Sequence, residues 1–222
     1  MAREIIAEAP RDLEEEVINM CGSAKDMLEA TWEGFKRQDK ERLIRAEKIG
    51  LEIHQKEKEL TYSIMTLRSQ RDESTEEIEQ LGFLPAHLER IGDNIELLIR
   101  STRKIIDDGT CFSEKAIKEV NTLFDKAIEL LECLRDALRT KNKVLIRYVR
   151  EEGKKFQESI GEYSISHQER LIQGTCMPKS SSIYFAMLDY LTEIERHIRQ
   201  MIDRITFIHE RNLAFSRLYQ TS

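Results

Sequence analysis

Apolar residues recur along the chain at spacings of three and four, the period of a helix with one buried face. The first such pattern runs from about Asp12 to Lys36 through Leu13, Val17, Met20, Ala24, Met27, Leu28, Trp32 and Phe35. It restarts after Asp39 with Leu43, Ile44, Ile49, Ile53, Leu60, Ile64 and Leu67, and Asp39 suits the N-cap of a second helix returning antiparallel. The rhythm lapses from Arg71 to Glu77, where Ser74 and Glu77 have capping-box spacing and predict the start of a third helix. Its stripe reads Ile78, Leu81, Leu88, Ile91, Ile95, Leu98 and Ile105, and Gly109 suits the left-handed position after its last turn. Pro85 lies inside the stripe, so a kink or break is expected between Gly82 and Pro85.

The second half repeats the plan. Ser113 is placed to cap a fourth helix carrying Ile117, Val120, Phe124, Ile128, Leu131, Leu134 and Leu138. A fifth is expected from about Asn142 to Leu171, a polar connector from Gln173 to Ser182, and a sixth from about Ile183 to Asn212. Arg37 with Leu43-Ile44-Arg45 matches Arg139 with Leu145-Ile146-Arg147 at an offset of 102, and Glu89-Arg90 matches Glu195-Arg196 at an offset of 106. The expected fold is therefore all-α: six helices in two tandem three-helix bundles from an internal duplication, with boundaries at residues 1–109 and 110–222.

Composition narrows the function. A formal charge of −6 lacks the concentrated basic surface of a phosphate-backbone binder, so nucleic acid is not an expected partner. No apolar run reaches the roughly 18 residues needed to span a bilayer, and Glu14, Glu15 and Glu16 fall where a signal peptide would be apolar. Contact with a membrane is expected only through a partner protein. Cys21, Cys111, Cys133 and Cys176 form no CxxC pair, which fits a reducing, cytoplasmic setting. No histidine has a Glu three residues before it, so the helical Glu-x-x-His signature of di-iron sites is missing. His209-Glu210 reads as a solvated or interhelical pair, and Trp32 with Phe35 as packing. Phosphate-binding loops and nucleophile elbows are also missing.

The chemically informative segment is Leu88-Glu89-Arg90-Ile91-Gly92-Asp93. Glu89 and Asp93 project from one helical face, with Glu96 a turn further on, and oxygen donors so placed suit hard or borderline cations. This hexapeptide resembles the acidic signature of the PhoU family, whose members contain two three-helix repeats. His167-Gln168-Glu169-Arg170-Leu171 with Gly174 and the stretch from Tyr184 to His197 is similar to PhoU-like domains, including those of sodium/phosphate cotransporters. The resemblance implies a role in phosphate uptake or its regulation, and in some members bound iron, manganese or zinc. Glu89 and Asp93 match the first motif; Glu47 or Glu52 of the second helix would supply supporting acids. In the second half Glu195 and Arg196 match, but Arg199 stands where the second acid should be and Ile198 replaces the Gly. Asp189 and Glu193 are the nearby substitutes.

The leading expectation is a cytoplasmic, non-enzymatic regulator that docks on a phosphate transporter or a phosphate-sensing kinase, with or without a transition metal. The alternatives are the cytoplasmic PhoU-like domain of a sodium/phosphate cotransporter, a metal-dependent helical-bundle enzyme using Glu89 and Asp93, and a structural helical homodimer.

Overall fold

The computed structural model describes the backbone of residues 2–69 and 80–219, and side chains of residues 12–67, 69 and 80–207. The Ser74/Glu77 capping box and the side chain of His209 lie outside that range. Every element described is a helix: α1 Ala2–Arg37, α2 Lys40–Ser69, α3 Leu84–Asp107, α4 Glu114–Thr140, α5 Lys143–Ile172 and α6 Pro178–Tyr219.

The helix boundaries follow local chemistry. Asp39 Oδ1 accepts from the Glu41 and Arg42 amides at 2.9 and 3.3 Å, and Asn142 Oδ1 accepts from Val144 at 2.8 Å. Ser113 Oγ caps α4 by accepting from Ala116 at 3.2 Å. Each side chain satisfies an amide that the first turn leaves without an internal partner. Gly109 adopts φ of +57° after α3, and the Thr110 amide reaches back to the Ile105 carbonyl at 3.0 Å. The expected break near Pro85 falls at Phe83: a helical stretch ends at Gly82, and α3 starts at Leu84 with Pro85 in its first turn. There the ring costs no hydrogen bond. The last connector is shorter than expected, because α6 begins at Pro178 and the Ser180 and Ser181 hydroxyls donate to the Met177 carbonyl at 3.0 Å.

α1, α2 and α3 pack on one another, as do α4, α5 and α6; the two bundles meet where α1 packs on α4 and α3 on α6. α2 and α5 are thus the outer helices. The α1/α4 seam is antiparallel, with Glu15 facing Arg139 and the Trp32 indole donating to Asn121 Oδ1 at 2.8 Å. Phe35 packs between Phe112 and Phe124, ring centroids 6.2 and 6.1 Å away. Trp32 and Phe35 are therefore packing residues at the junction of the bundles.

Buried positions correspond between the halves at a shift of 103. It carries Leu13, Val17, Ala24, Leu28 and Phe35 onto Ala116, Val120, Ala127, Leu131 and Leu138, all buried. It carries Leu43, Ala46, Gly50 and Ile53 onto Ile146, Val149, Gly153 and Phe156. It also takes Leu84, Leu88, Ile91, Ile95, Leu98 and Ile99 onto Met187, Leu191, Ile194, Ile198, Met201 and Ile202. Even the two non-glycine left-handed residues, Gln38 at φ 54° and Lys141 at φ 52°, obey it. The offsets of 102 and 106 read from identities are corrected: packing sets one shift, and Glu195 stands at the place of Gly92, not of Glu89.

Candidate functional site

Glu89 and Asp93 lie on α3 beside α2, where with Gly50, Leu51, Ile53, His54, Gly92 and Glu96 they line an open cleft of about 230 Å³. The fold builds it by close approach of two helices: Gly92 is buried against Ile53, and a Cβ there would stand 3.4 Å from the Ile53 side chain. Gly50, opposite, leaves room for Met27 and the Glu96 carboxylate. Glu89 is joined by His54, whose Nδ1 is 3.0 Å from Glu89 Oε1.

Three of the other acids are already engaged. Glu96 accepts from Arg100 at 3.3 Å, and Asp93 faces Arg90 at 3.5 Å. Glu47 accepts from Arg103 at 3.0 Å, and Glu52 lines a separate cleft with Asn19, Met20 and Ser23 of α1. Neither Glu47 nor Glu52 lines the cleft of Glu89 and Asp93. Among the described residues no group of three or more His, Cys, Asp or Glu side chains is arranged to hold a metal ion. As placed, these donors do not fit one, since a cation must find several oxygens or nitrogens at bonding distance to replace its water.

The second bundle has rebuilt the same place. At the shift of 103, Glu89, Asp93 and Glu96 become Thr192, Arg196 and Arg199, so three acids give way to a hydroxyl and two guanidiniums. Glu195 points into the bundle and is 1% exposed. Its Oε1 accepts from Arg199 Nε at 3.0 Å, and its Oε2 from Gln157 Nε2 at 2.5 Å. Gly153 makes room for this carboxylate, which a Cβ at that position would meet. Glu193 accepts from Arg196 Nε at 3.0 Å and is held below the usual carboxylate range by that bond. Asp189 is exposed. Charges opposing a cation and a carboxylate already paired leave no counterpart of the first cleft.

A buried polar network escaped the sequence reading. Glu119, 5% exposed, accepts from Arg170 Nη1 and Nη2 at 3.0 and 2.6 Å and from the Tyr184 hydroxyl at 2.7 Å. Arg170 Nη2 also lies 3.0 Å from His167 Nδ1, and His167 Nε2 lies 3.0 Å from Ser181 Oγ. The Ser181 hydroxyl donates to Met177, so His167 donates to Ser181 through Nε2 and accepts from Arg170 at Nδ1. Burial raises the Tyr184 phenol and lowers His167. The Glu119 carboxylate, the Tyr184 hydroxyl and both His167 ring nitrogens are partnered, as a low-dielectric interior favours, while Arg170 Nε is buried without a partner. The spacing of Ser166, His167 and Arg170 on one face was the available sign, but it looks like ordinary helix surface.

Comparisons with known proteins agree with this architecture. Residues 17–102, spanning α1 to α3, match the PhoU domain. The fold resembles the phosphate transport system regulatory protein PhoU from Streptococcus pneumoniae, with a TM-score of 0.81 at 11% identity over 92% of this chain and 96% of that one. PhoU from Pseudomonas aeruginosa gives 0.73 at 15% identity, over 92% of this chain and 98% of that one. A PhoU-like phosphate regulatory protein from Shewanella oneidensis MR-1 gives 0.62 at 10% identity, over 90% and 99%. No curated protein matches the sequence. The fold is thus the PhoU fold, and the first bundle is the part that matches the PhoU domain.

Proposed function

We propose that this protein is a cytoplasmic, non-enzymatic regulator of phosphate transport, acting by docking on a transporter or on the kinase that senses phosphate. The carrying observation is the PhoU domain of residues 17–102 within a fold shared along 92% of the chain with a phosphate transport regulator. Two features of the surface support action by contact. No described helix is long and apolar enough to cross a membrane, so a membrane transporter would be met from outside the bilayer. The outer helices expose large apolar side chains at multiples of seven residues, Ile44, Leu51 and Met65 on α2 and Val144, Ile165 and Ile172 on α5, with Lys58, Glu151 and Glu158 at the places between. Exposed apolar side chains on one helical face are what a helical partner covers.

The test is deletion of the gene followed by phosphate uptake and phosphate-responsive expression at low and high phosphate. Uptake or expression is expected to lose its dependence on external phosphate. Unchanged responses at both concentrations would overturn the reading.

A further inference from the structure

Between the N-terminal half of α1 and the C-terminal half of α2 lies a cleft of about 480 Å³, separate from that of Glu89 and Asp93. Its wall is apolar, built from Leu13, Leu60 and Leu67. Its polar groups are nearly all acceptors. Asp12, Glu16 and Glu59 bring three carboxylates. Ser63 and Thr66 bring hydroxyls whose single hydrogens are already given to the Glu59 and Tyr62 carbonyls, each at 2.9 Å. Those two oxygens can then only accept. Against them stand the Tyr62 hydroxyl and one ammonium, Lys56, which lies 2.6 Å from Glu16 Oε2 and 3.9 Å from Glu59 Oε2.

The second bundle shows what such a place holds. The shift of 103 takes Glu16 and Ser63 onto Glu119 and Ser166, so both acceptors are common to the two bundles. It takes Leu67 onto Arg170 and Asp12 onto Lys115, so the first bundle lacks at these places the two cations that serve them. Arg170 Nη1 lies 3.0 Å from both Glu119 Oε1 and Ser166 Oγ, and Nη2 lies 2.6 Å from Glu119 Oε2. Lys115 Nζ donates to Ser166 Oγ at 2.7 Å. Leu67 carries no donor, and the cleft opens beside it.

We propose that this cleft binds the guanidinium of an arginine side chain presented by a partner protein. The aliphatic stem lies along Leu13, Leu60 and Leu67, and the planar head brings five donors and a fixed charge to Glu16, Ser63 and Asp12. Lys56 already faces two carboxylates, so the α-carboxylate of free arginine meets no unengaged cation among the lining residues; the ligand is an arginine within a chain. Three carboxylates against one ammonium favour a basic segment around it. The inference rests on the cleft and its counterpart, not on the regulatory reading, and holds for a partner of any function.

The test is methyl NMR of the full-length protein, titrated with arginine blocked as its N-acetyl methylamide, with citrulline blocked in the same way, and with free arginine. Blocked arginine is expected to shift the Leu13, Leu60 and Leu67 methyl signals saturably; blocked citrulline, of the same shape but uncharged, is not. Glu16→Gln should weaken binding about 10-fold and Ser63→Ala about 5-fold. Leu67→Arg gives the first bundle the guanidinium of the second and should abolish binding with no fall in the urea midpoint. If that variant fails to fold, the two surface substitutions still decide. The proposal is overturned by no saturable shift with blocked arginine, by equal binding of the citrulline analogue, or by tighter binding of free than of blocked arginine. Affinities that Glu16→Gln and Ser63→Ala leave unchanged, or a folded Leu67→Arg protein that binds like the parent, overturn it as well. So does a several-fold gain in affinity on Arg11→Gln or Arg68→Gln; those side chains lie outside the described range, and one of them would then be the occupant.

Discussion

Replacing Arg199 by Met should destabilise the protein far more than an exposed arginine normally does. The guanidinium is 38% exposed, but the carboxylate it serves is 1% exposed, and its Nε and Nη2 lie 3.0 and 3.4 Å from the Glu195 oxygens. A surface pair would be worth about 0–1 kcal/mol. Removing one partner of a buried pair strands the other and typically costs about 3–5 kcal/mol. Gln157 still donates to Glu195 and some water reaches the vacated end, so the lower limit, about 3 kcal/mol, is expected. For a chain of this length that lowers Tm by about 6–12 °C. Placed on a Glu195→Gln background the same substitution strands an amide rather than a charge, and the cost should fall to about 1 kcal/mol. Urea unfolding of the four proteins, followed by helical circular dichroism, gives the cycle and an expected coupling of about 2 kcal/mol. A loss within about 0.5 kcal/mol of the parent, or the same loss on both backgrounds, would refute the claim that Glu195 is a structural charge held by Arg199.

Two further outcomes follow from the charge map. His87, His167 and His197 are all lowered from 6.5, so the folded protein keeps them neutral while the unfolded chain takes up protons first. Their contribution is present above pH 6.5 and is lost as pH falls toward about 4 for His87; the urea midpoint should drop from pH 7 to pH 5, and His87→Asn should flatten the drop. A midpoint independent of pH over that window would contradict it. If a divalent transition metal binds the purified protein, it should bind in the first bundle, where Glu89, Asp93 and Glu96 face positions held by Thr192, Arg196 and Arg199 in the second. Titration calorimetry should show larger losses for Glu89→Gln and Asp93→Asn than for Glu195→Gln; equal losses would refute the asymmetry.

The caps at Asp39, Ser113 and Gly109 and the break before Pro85 were legible because each depends on one residue and its immediate backbone. The duplication was legible as periodicity, yet its register was not. A slip of three residues, from 103 to 106, is nearly one helical turn and keeps the apolar stripe on the same face, so spacing cannot detect it. The one-residue slip of Leu43-Ile44 against Leu145-Ile146 arose because adjacent apolar residues look alike until packing buries Leu43 and Ile146 and leaves Ile44 exposed.

What the shift of 103 carries over is burial, not chemistry. Ile64 corresponds to His167, Leu81 to Tyr184 and Leu67 to Arg170, so the positions that pack apolar side chains in the first bundle hold the Glu119 network in the second. The corresponding acid in the first bundle, Glu16, instead meets Lys56 at 2.6 Å on the surface. A buried helical position accepts a polar side chain where most of its polar atoms find partners. The two bundles could therefore keep one shape while their charges moved apart. An acidic cleft remains in the first; in the second a guanidinium turns inward to hold Glu195.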